Sequence, residues 1–253
     1  MNRIARSIAS ICATFLLMAG CSTDSANVSG ARALLAPSPM NLKGGPAVPM
    51  PITRGWVAGL SNPYLGFEAG RVFNYRSETP DGLETTVVEV TSDTRLIQGV
   101  VTTVVHDQVS LDGSLIEDTY DWYAQDSDGT VWYFGEDSKQ IDHGVVVGTE
   151  GSWEAGVNGA QAGIAMLADP KVGMRYLQEY SPGVAEDMAR IQSLSRPAEV
   201  PYGNFDCLVT LEWTPLDKKV REYKYYARGV GLVLTTEDQR SIRDELISVA
   251  VAL

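Results

Sequence analysis

From Leu83 to Gly113 the chain reads LETTVVEVTSDTRLIQGVVTTVVHDQVSLDG, a run dominated by valine, threonine and isoleucine and cut by SDT and LDG. β-Branched side chains lose rotamer freedom in a helix and pack well on a pleated surface, so this stretch commits the chain to strands joined by tight turns. The same grammar continues in VVVGTEGSW, FDCLVTLEWTP, VREYKYYA, GVGLVLTTED and ELISVAVAL, short apolar runs parted by Gly, Pro, Asp and Asn. That pattern specifies a mainly β protein: a single antiparallel sheet domain, curled as a half-barrel, barrel or sandwich, with at most one short helix. The helix candidate is SPGVAEDMARIQSL, residues 181–194, with Ser181 as its cap, Pro182 in the first turn, and Val184, Met188 and Ile191 on one face. A strand returning from the Ser-Pro-Gly turn fits the same letters, and both readings stand.

The first 20 residues read as an export signal. Arg3 and Arg6 precede an apolar stretch from Ile8 to Met18 that is too short for a comfortable bilayer span. The small residues ahead of Cys21 resemble the lipobox of bacterial lipoproteins. That resemblance implies cleavage before Cys21 and a lipid on its new N-terminus. Ser22 beside it is similar to an outer-membrane sorting signal. Residues 21–61 are rich in Ser, Ala, Gly and Pro without a hydrophobic period, as expected of a flexible tether, and residues 62–253 form the β domain. The expected location is outside the cytoplasm, lipid-anchored to the cell membrane or outer membrane, with the domain facing periplasm or exterior. Loss of Arg3 and Arg6 takes the net charge from −12 to −14, which argues against nucleic acid as a partner. With Cys12 removed and Cys21 acylated, Cys207 stands alone in an apolar run, a buried structural thiol.

Residues 118–137, DTYDWYAQDSDGTVWYFGED, hold six aromatic and six carboxylate side chains. DSDG in its middle suits a three-residue hairpin loop with Gly129 at positive φ. The register then sets Asp126 opposite Thr130, Ala124 opposite Trp132, Trp122 opposite Phe134 and Tyr120 opposite Glu136. One face carries Tyr120, Trp122, Ala124, Trp132 and Phe134 and is expected to face the core, whereas the other is mixed. Glu136 closes the apolar face and needs a partner if it points inward. The acids Asp118, Asp121, Asp126, Asp128, Glu136 and Asp137 are candidate ligands for a calcium-like cation. They depart from an EF-hand loop, with Val131 where the sharp turn needs Gly and Asp137 at the twelfth position.

Other chemistry is sparse. His106 and His143 are the two histidines, no HExxH or CxxC is present, and GxSxG is absent. Ser152 and Ser181 look like turn residues, and GVGLV lacks the third glycine of a nucleotide loop. Glu136, Glu150 and Glu154, with Glu179 and Glu186, offer carboxylates for two-acid glycan hydrolysis, a reaction that requires a spatial separation. The glycine-rich passage from Gly151 to Gly163 is a candidate lid.

DWYAQDSDGTVWYFGED, GSWEAG, PYGNFDC and EYKYYARGVGLV together resemble an uncharacterised family of secreted bacterial β-rich proteins, many of them lipoproteins, from about Asn62 to Val249. The resemblance implies an extracytoplasmic β domain and carries over no activity, cofactor or catalytic residue. The arrangement is more loosely similar to lipoprotein- and lipid-carrier half-barrels. The expectation is a non-catalytic binding or carrier module for an apolar or amphipathic ligand. Tyr120, Trp122, Trp132, Phe134, Glu136 and Trp153 line its site, and envelope proteins are possible partners. A cation-binding protein and a glycan hydrolase are the alternatives.

Overall fold

The structure, a computed structural model, describes residues 55–237 and 242–251. The signal, Cys21 and the tether up to residue 54 lie outside the described residues. The strands in chain order are β1 (Trp56–Val57), β2 (Arg71–Thr79), β3 (Gly82–Ile97), β4 (Val100–Leu111), β5 (Ser114–Asp126), β6 (Val131–Asp142), β7 (Val145–Gly148), β8 (Trp153–Glu154), β9 (Gln161–Met166), β10 (Arg175–Leu177), β11 (Glu179–Tyr180), β12 (Met188–Val200), β13 (Gly203–Trp213), β14 (Arg221–Ala227), β15 (Gly231–Glu237) and β16 (Arg243–Val251). No helix occurs among the described residues. The 181–194 segment follows the strand reading: Ser181 and Ala185 bridge across a tight turn, and β12 starts at Met188. Pairing with β13 sets Ala189 opposite Glu212 and Ile191 opposite Thr210. β1 pairs with the end of β5 and Leu60 is buried, so the sheet begins before Asn62.

All pairings are antiparallel, and the strand order is β10-β12-β13-β14-β15-β16-β2-β3-β4-β5-β6-β9-β11. This single sheet curls almost into a closed barrel. Its two edges are joined by one extended segment, residues 175–180. The first half pairs with β12 and the second with β9. The strand changes partner at Gln178, close against Gly163, where a Cβ would lie 2.0 Å from the Gln178 carbonyl oxygen. Glycine is therefore required at the seam for the two backbones to approach. The β12–β13 hairpin outruns β14, and its tip reaches β16. There Tyr202 N donates to the Leu246 carbonyl at 3.1 Å and Arg243 to the Glu199 carbonyl at 2.8 Å.

The inside of the barrel is marked by rings that touch across non-neighbouring strands. Phe67 meets Phe73 on β2 and Tyr123 on β5, three strands away in the sheet. Tyr123 stacks on Tyr133 of β6, whose ring meets Trp153 edge-on. Hairpin alternation places the β3–β4, β5–β6 and β14–β15 turns at one end, called upper here. The β2–β3, β4–β5 and β6–β7 turns lie at the other, lower end. The aromatic contacts fill the upper interior.

Candidate functional site: an acidic barrel interior

The register dictates what fills the lower half. Interior side chains alternate along each strand, so the positions that follow Phe73, Val88, Val105 and Tyr123 on the same face are read directly from the pairings. On β2 and β3 they are Tyr75, Ser77, Thr86 and Glu84. On β4 and β5 they are Asp107, Asp121, Thr119 and Glu117. Glu136 and Ser138 follow on β6. From the other side Asp244 lies opposite Ser77 and Thr235. Lys224 lies opposite Thr235 and Thr210, and Glu222 opposite Glu212. Glu84, Asp107, Asp121, Glu136, Glu212, Glu222, Asp244 and Lys224 are all buried. One end of the barrel is therefore an enclosed, strongly acidic compartment with Lys224 as its cation among the described residues.

Part of this charge is matched internally. Lys224 Nζ lies 2.9 Å from Glu212 Oε2, while Thr210 Oγ1 and Tyr226 OH donate to Glu212 Oε1 at 2.7 and 3.3 Å. Tyr133 OH donates to Asp121 Oδ1 at 2.6 Å. Asp107 is different. It is 1% exposed, and neither of its carboxylate oxygens has a hydrogen-bond partner. Ser77 Oγ, Thr86 Oγ1 and Asp121 Oδ2 are likewise sealed from solvent without a partner. A buried ionised carboxylate with no partner is costly, so each such group holds a proton or waits for a cation.

The electrostatics agree. Burial pushes the Asp107 carboxyl well above the usual carboxylate range, and the charges of Asp121, Glu117, Asp244 and Glu136 push it further. Burial raises Asp121 to about 7 against the hydrogen bond from Tyr133. It raises Glu222 to about 7 despite Lys224. Asp244 rises to about 8 through burial and then the charges of Glu84 and Glu222. The Tyr75 hydroxyl, which donates to the Leu232 carbonyl at 3.0 Å, is raised by burial and then by the charges of Asp244 and Asp107.

The aromatic hairpin keeps its turn and changes its register. Asp126 N donates to the Thr130 carbonyl at 2.9 Å, Gly129 has φ 96°, and Ala124 faces Trp132. Gly135 then inserts a bulge, at φ 123°, where a Cβ would lie 2.1 Å from the Trp153 carbonyl oxygen. Below it Asp121 faces Glu136 and Tyr120 faces Asp137, so the expected Tyr120–Glu136 pair does not form. The mixed face is the one that points inward. Tyr120, Trp122, Trp132 and Phe134 point outward. There Trp56 meets Phe134 edge-on, the Arg95 guanidinium lies 4.1 Å over Trp122, and Tyr120 stacks on His106. Trp122, Trp132, Phe134 and Trp153 are each no more than 6% exposed, so these rings are packed core on two faces of the sheet and share no open groove.

The six candidate metal ligands occupy three places. Asp121 and Glu136 are inside. Asp118 accepts from Gln108 at 3.0 Å and lies 2.7 Å from His106 Nε2 on the outer face, where Asp137 pairs with Lys139. Asp126 and Asp128 belong to the turn. Asp126 accepts from the Asp128 and Thr130 backbones and from Trp132 Nε1. Among the described residues, no group of three or more His, Cys, Asp or Glu is disposed to hold a metal ion. The hydrolase candidates are also dispersed. Glu154 pairs with Arg95 on the outside, Glu150 is exposed, Glu186 accepts from the Gly183 amide, and Glu136 is internal. His143 lies in the exposed β6–β7 turn. The Cys207 thiol is buried and pushed up to about 11. The glycine-rich passage contributes β8 and β9 to the sheet.

No family model matches the chain, and no curated protein matches it. Solved structures similar to it include a Bacteroides fragilis protein provisionally described as exported, with a YmcC-like fold. It is 14% identical, with a TM-score of 0.43 over 75% of this chain and 100% of that one. A second, from Parabacteroides distasonis and provisionally described as a lipoprotein, is 11% identical, with a TM-score of 0.41 over 75% of this chain and 99% of its own.

Proposed function

We propose that the protein is a lipid-anchored, non-catalytic binding module of the bacterial envelope whose barrel interior takes an amphipathic organic cation. The amine head of such a ligand sits among the lower acids. Asp107 carries this reading: a sealed carboxyl with no partner, pushed up by burial and by four other acids, holds a proton when the interior is empty and gives it up to match a cation. The dispersal of the surface acids favours an organic cation over calcium. Entry requires the barrel to part, and the seam at Gln178 is the natural place, because no ladder joins β9 to β10 there.

The test is a native mass spectrum of the exported chain carrying Cys21→Ser, purified without detergent at pH 8. The Cys21→Ser chain retains an adduct of amphiphile mass, and the same chain with Asp107→Asn loses it. A bare polypeptide mass from both, or an adduct indifferent to Asp107→Asn, contradicts the proposal.

A further inference from the structure

The upper end of the barrel has a second property, independent of the interior. Three of its segments, residues 55–67, 96–105 and 155–168, contain no charged residue, in a chain with 20 basic and 32 acidic ones. The lower turns, in contrast, carry Asp81, Asp112, Asp142, Asp217, Lys218 and Lys219. Large aliphatic side chains stand out at this charge-poor end, and Val145, Val146 and Val147 stand out beside the lower β6–β7 turn. Leu96 and Val101 face each other across the β3–β4 hairpin at 69% and 61% exposed, and Val57 and Val157 are also exposed. Gly156 lies against Gln98, which brings the Val157 loop beside the hairpin tip. Trp56 and Tyr64, half-buried beside them, are the amphipathic rings that suit a membrane interface.

The chain enters the domain at this same end. Gly55 accepts from the Ser127 amide in the β5–β6 turn at 2.7 Å, and β1 runs on from it. The charges nearest to it are largely balanced. Arg95 pairs with Glu154, Arg71 with Glu68 and Lys171 with Asp169, Asp128 sits in the turn, Arg228 lies over the Tyr64 ring, and Asp93 is exposed beside the β3–β4 hairpin. An acidic protein would be repelled by anionic lipid on its other faces but not on this one.

We propose that this end docks on the bilayer that holds the lipid anchor, with the tip of the β3–β4 hairpin and Val157 seated in the headgroup layer. The inference rests on the anchoring at Cys21. The 33 residues from 22 to 54 span at most ~115 Å, so the anchored domain is never far from that surface. Burying a few aliphatic side chains supplies weak binding that is effective only at such a local concentration.

The test places a fluorophore on Val101→Cys or on Val146→Cys, an exposed position at the lower end. Vesicles contain phosphatidylethanolamine and a minority of phosphatidylglycerol with brominated acyl chains. Each variant is studied as the natively lipidated chain and as a Cys21→Ser chain held to nickel-chelating lipid by an N-terminal histidine tag. The expected result is loss of most of the fluorescence at 101 and none at 146 in both forms. Equal quenching at both positions, or quenching at neither, in the tag-held form overturns the docking. If the anchoring reading fails, the native form alone leaves the vesicles on flotation, and the tag-held form still decides the docking.

Discussion

Replacing Asp244 with Asn removes a charge whose burial costs most in alkaline solution. Its carboxyl sits at about 8 in the folded protein against an ordinary 3.8. A raised folded value means that the native state binds the proton more tightly than the unfolded chain. The stability is therefore intact below about pH 4 and is lost as pH rises through 8. A shift of about four units corresponds to ~6 kcal/mol at the upper limit. The charges of Glu84, Glu222 and Lys224 act on Asp244 and readjust when it is replaced, so one substitution recovers about half of that, ~3 kcal/mol. For a domain of this size, ~3 kcal/mol is a rise in Tm of about 6–12 °C at pH 9. At pH 4 the two proteins should melt almost together, because the carboxyl is then protonated in both states. Thermal melts of wild type and Asp244→Asn from pH 4 to 9 measure this directly. The expected result is a wild-type Tm that falls with pH and a variant whose fall is markedly shallower. Parallel curves, or a variant less stable than wild type at pH 9, would refute the reasoning. Glu222→Gln provides a second check, with its gain complete nearer pH 7.

Gly163→Ala should destabilise by about 2–3 kcal/mol in urea titrations, because its Cβ meets the Gln178 backbone at the seam. Unchanged stability would show that the seam is loose. Asp126→Ala should cost about 3 kcal/mol by leaving Trp132 Nε1 and two turn amides unpaired, and Asp126→Asn, which keeps one acceptor, should cost less. Cys207 should resist a thiol reagent at pH 8 until the protein unfolds, and rapid labelling of the native state would contradict its burial.

The all-β fold and the Ser127–Gly129 turn are legible because they depend on local chemistry, β-branched runs and a glycine at positive φ. Which face of each strand points inward is not, because the usual rule that apolar residues go inside fails twice. In REYKYYA the alternation offers Tyr223 and Tyr225 as core, yet Glu222, Lys224 and Tyr226 share the inner face. In the aromatic hairpin the outer set is buried as well, under Trp56 and Arg95, so both faces look like core. The bulge at Gly135 answers to the backbone of Trp153, eighteen residues on, and no local signal announces it. Asp107, Glu222 and Asp244 give no local signal as site residues because they come from distant strands, and only closure of the sheet brings them together. Their one trace in the sequence is position. Asp107 alternates in step with buried Val105 and Val109, and Asp244 with buried Ile242 and Leu246.

The central claim is that the barrel interior recognises an organic cation through its unmatched acids. Calorimetric titration with dodecylamine and with dodecyl sulfate, both below micelle formation, tests it most directly. The amine should bind wild type and the sulfate should not. Binding of the amine should strengthen from pH 5 to pH 8 as the interior acids give up their protons, and Asp107→Asn should weaken it about tenfold, the effect of ~1.4 kcal/mol. Equal binding of both amphiphiles, or amine binding indifferent to pH and to Asp107, would contradict the account.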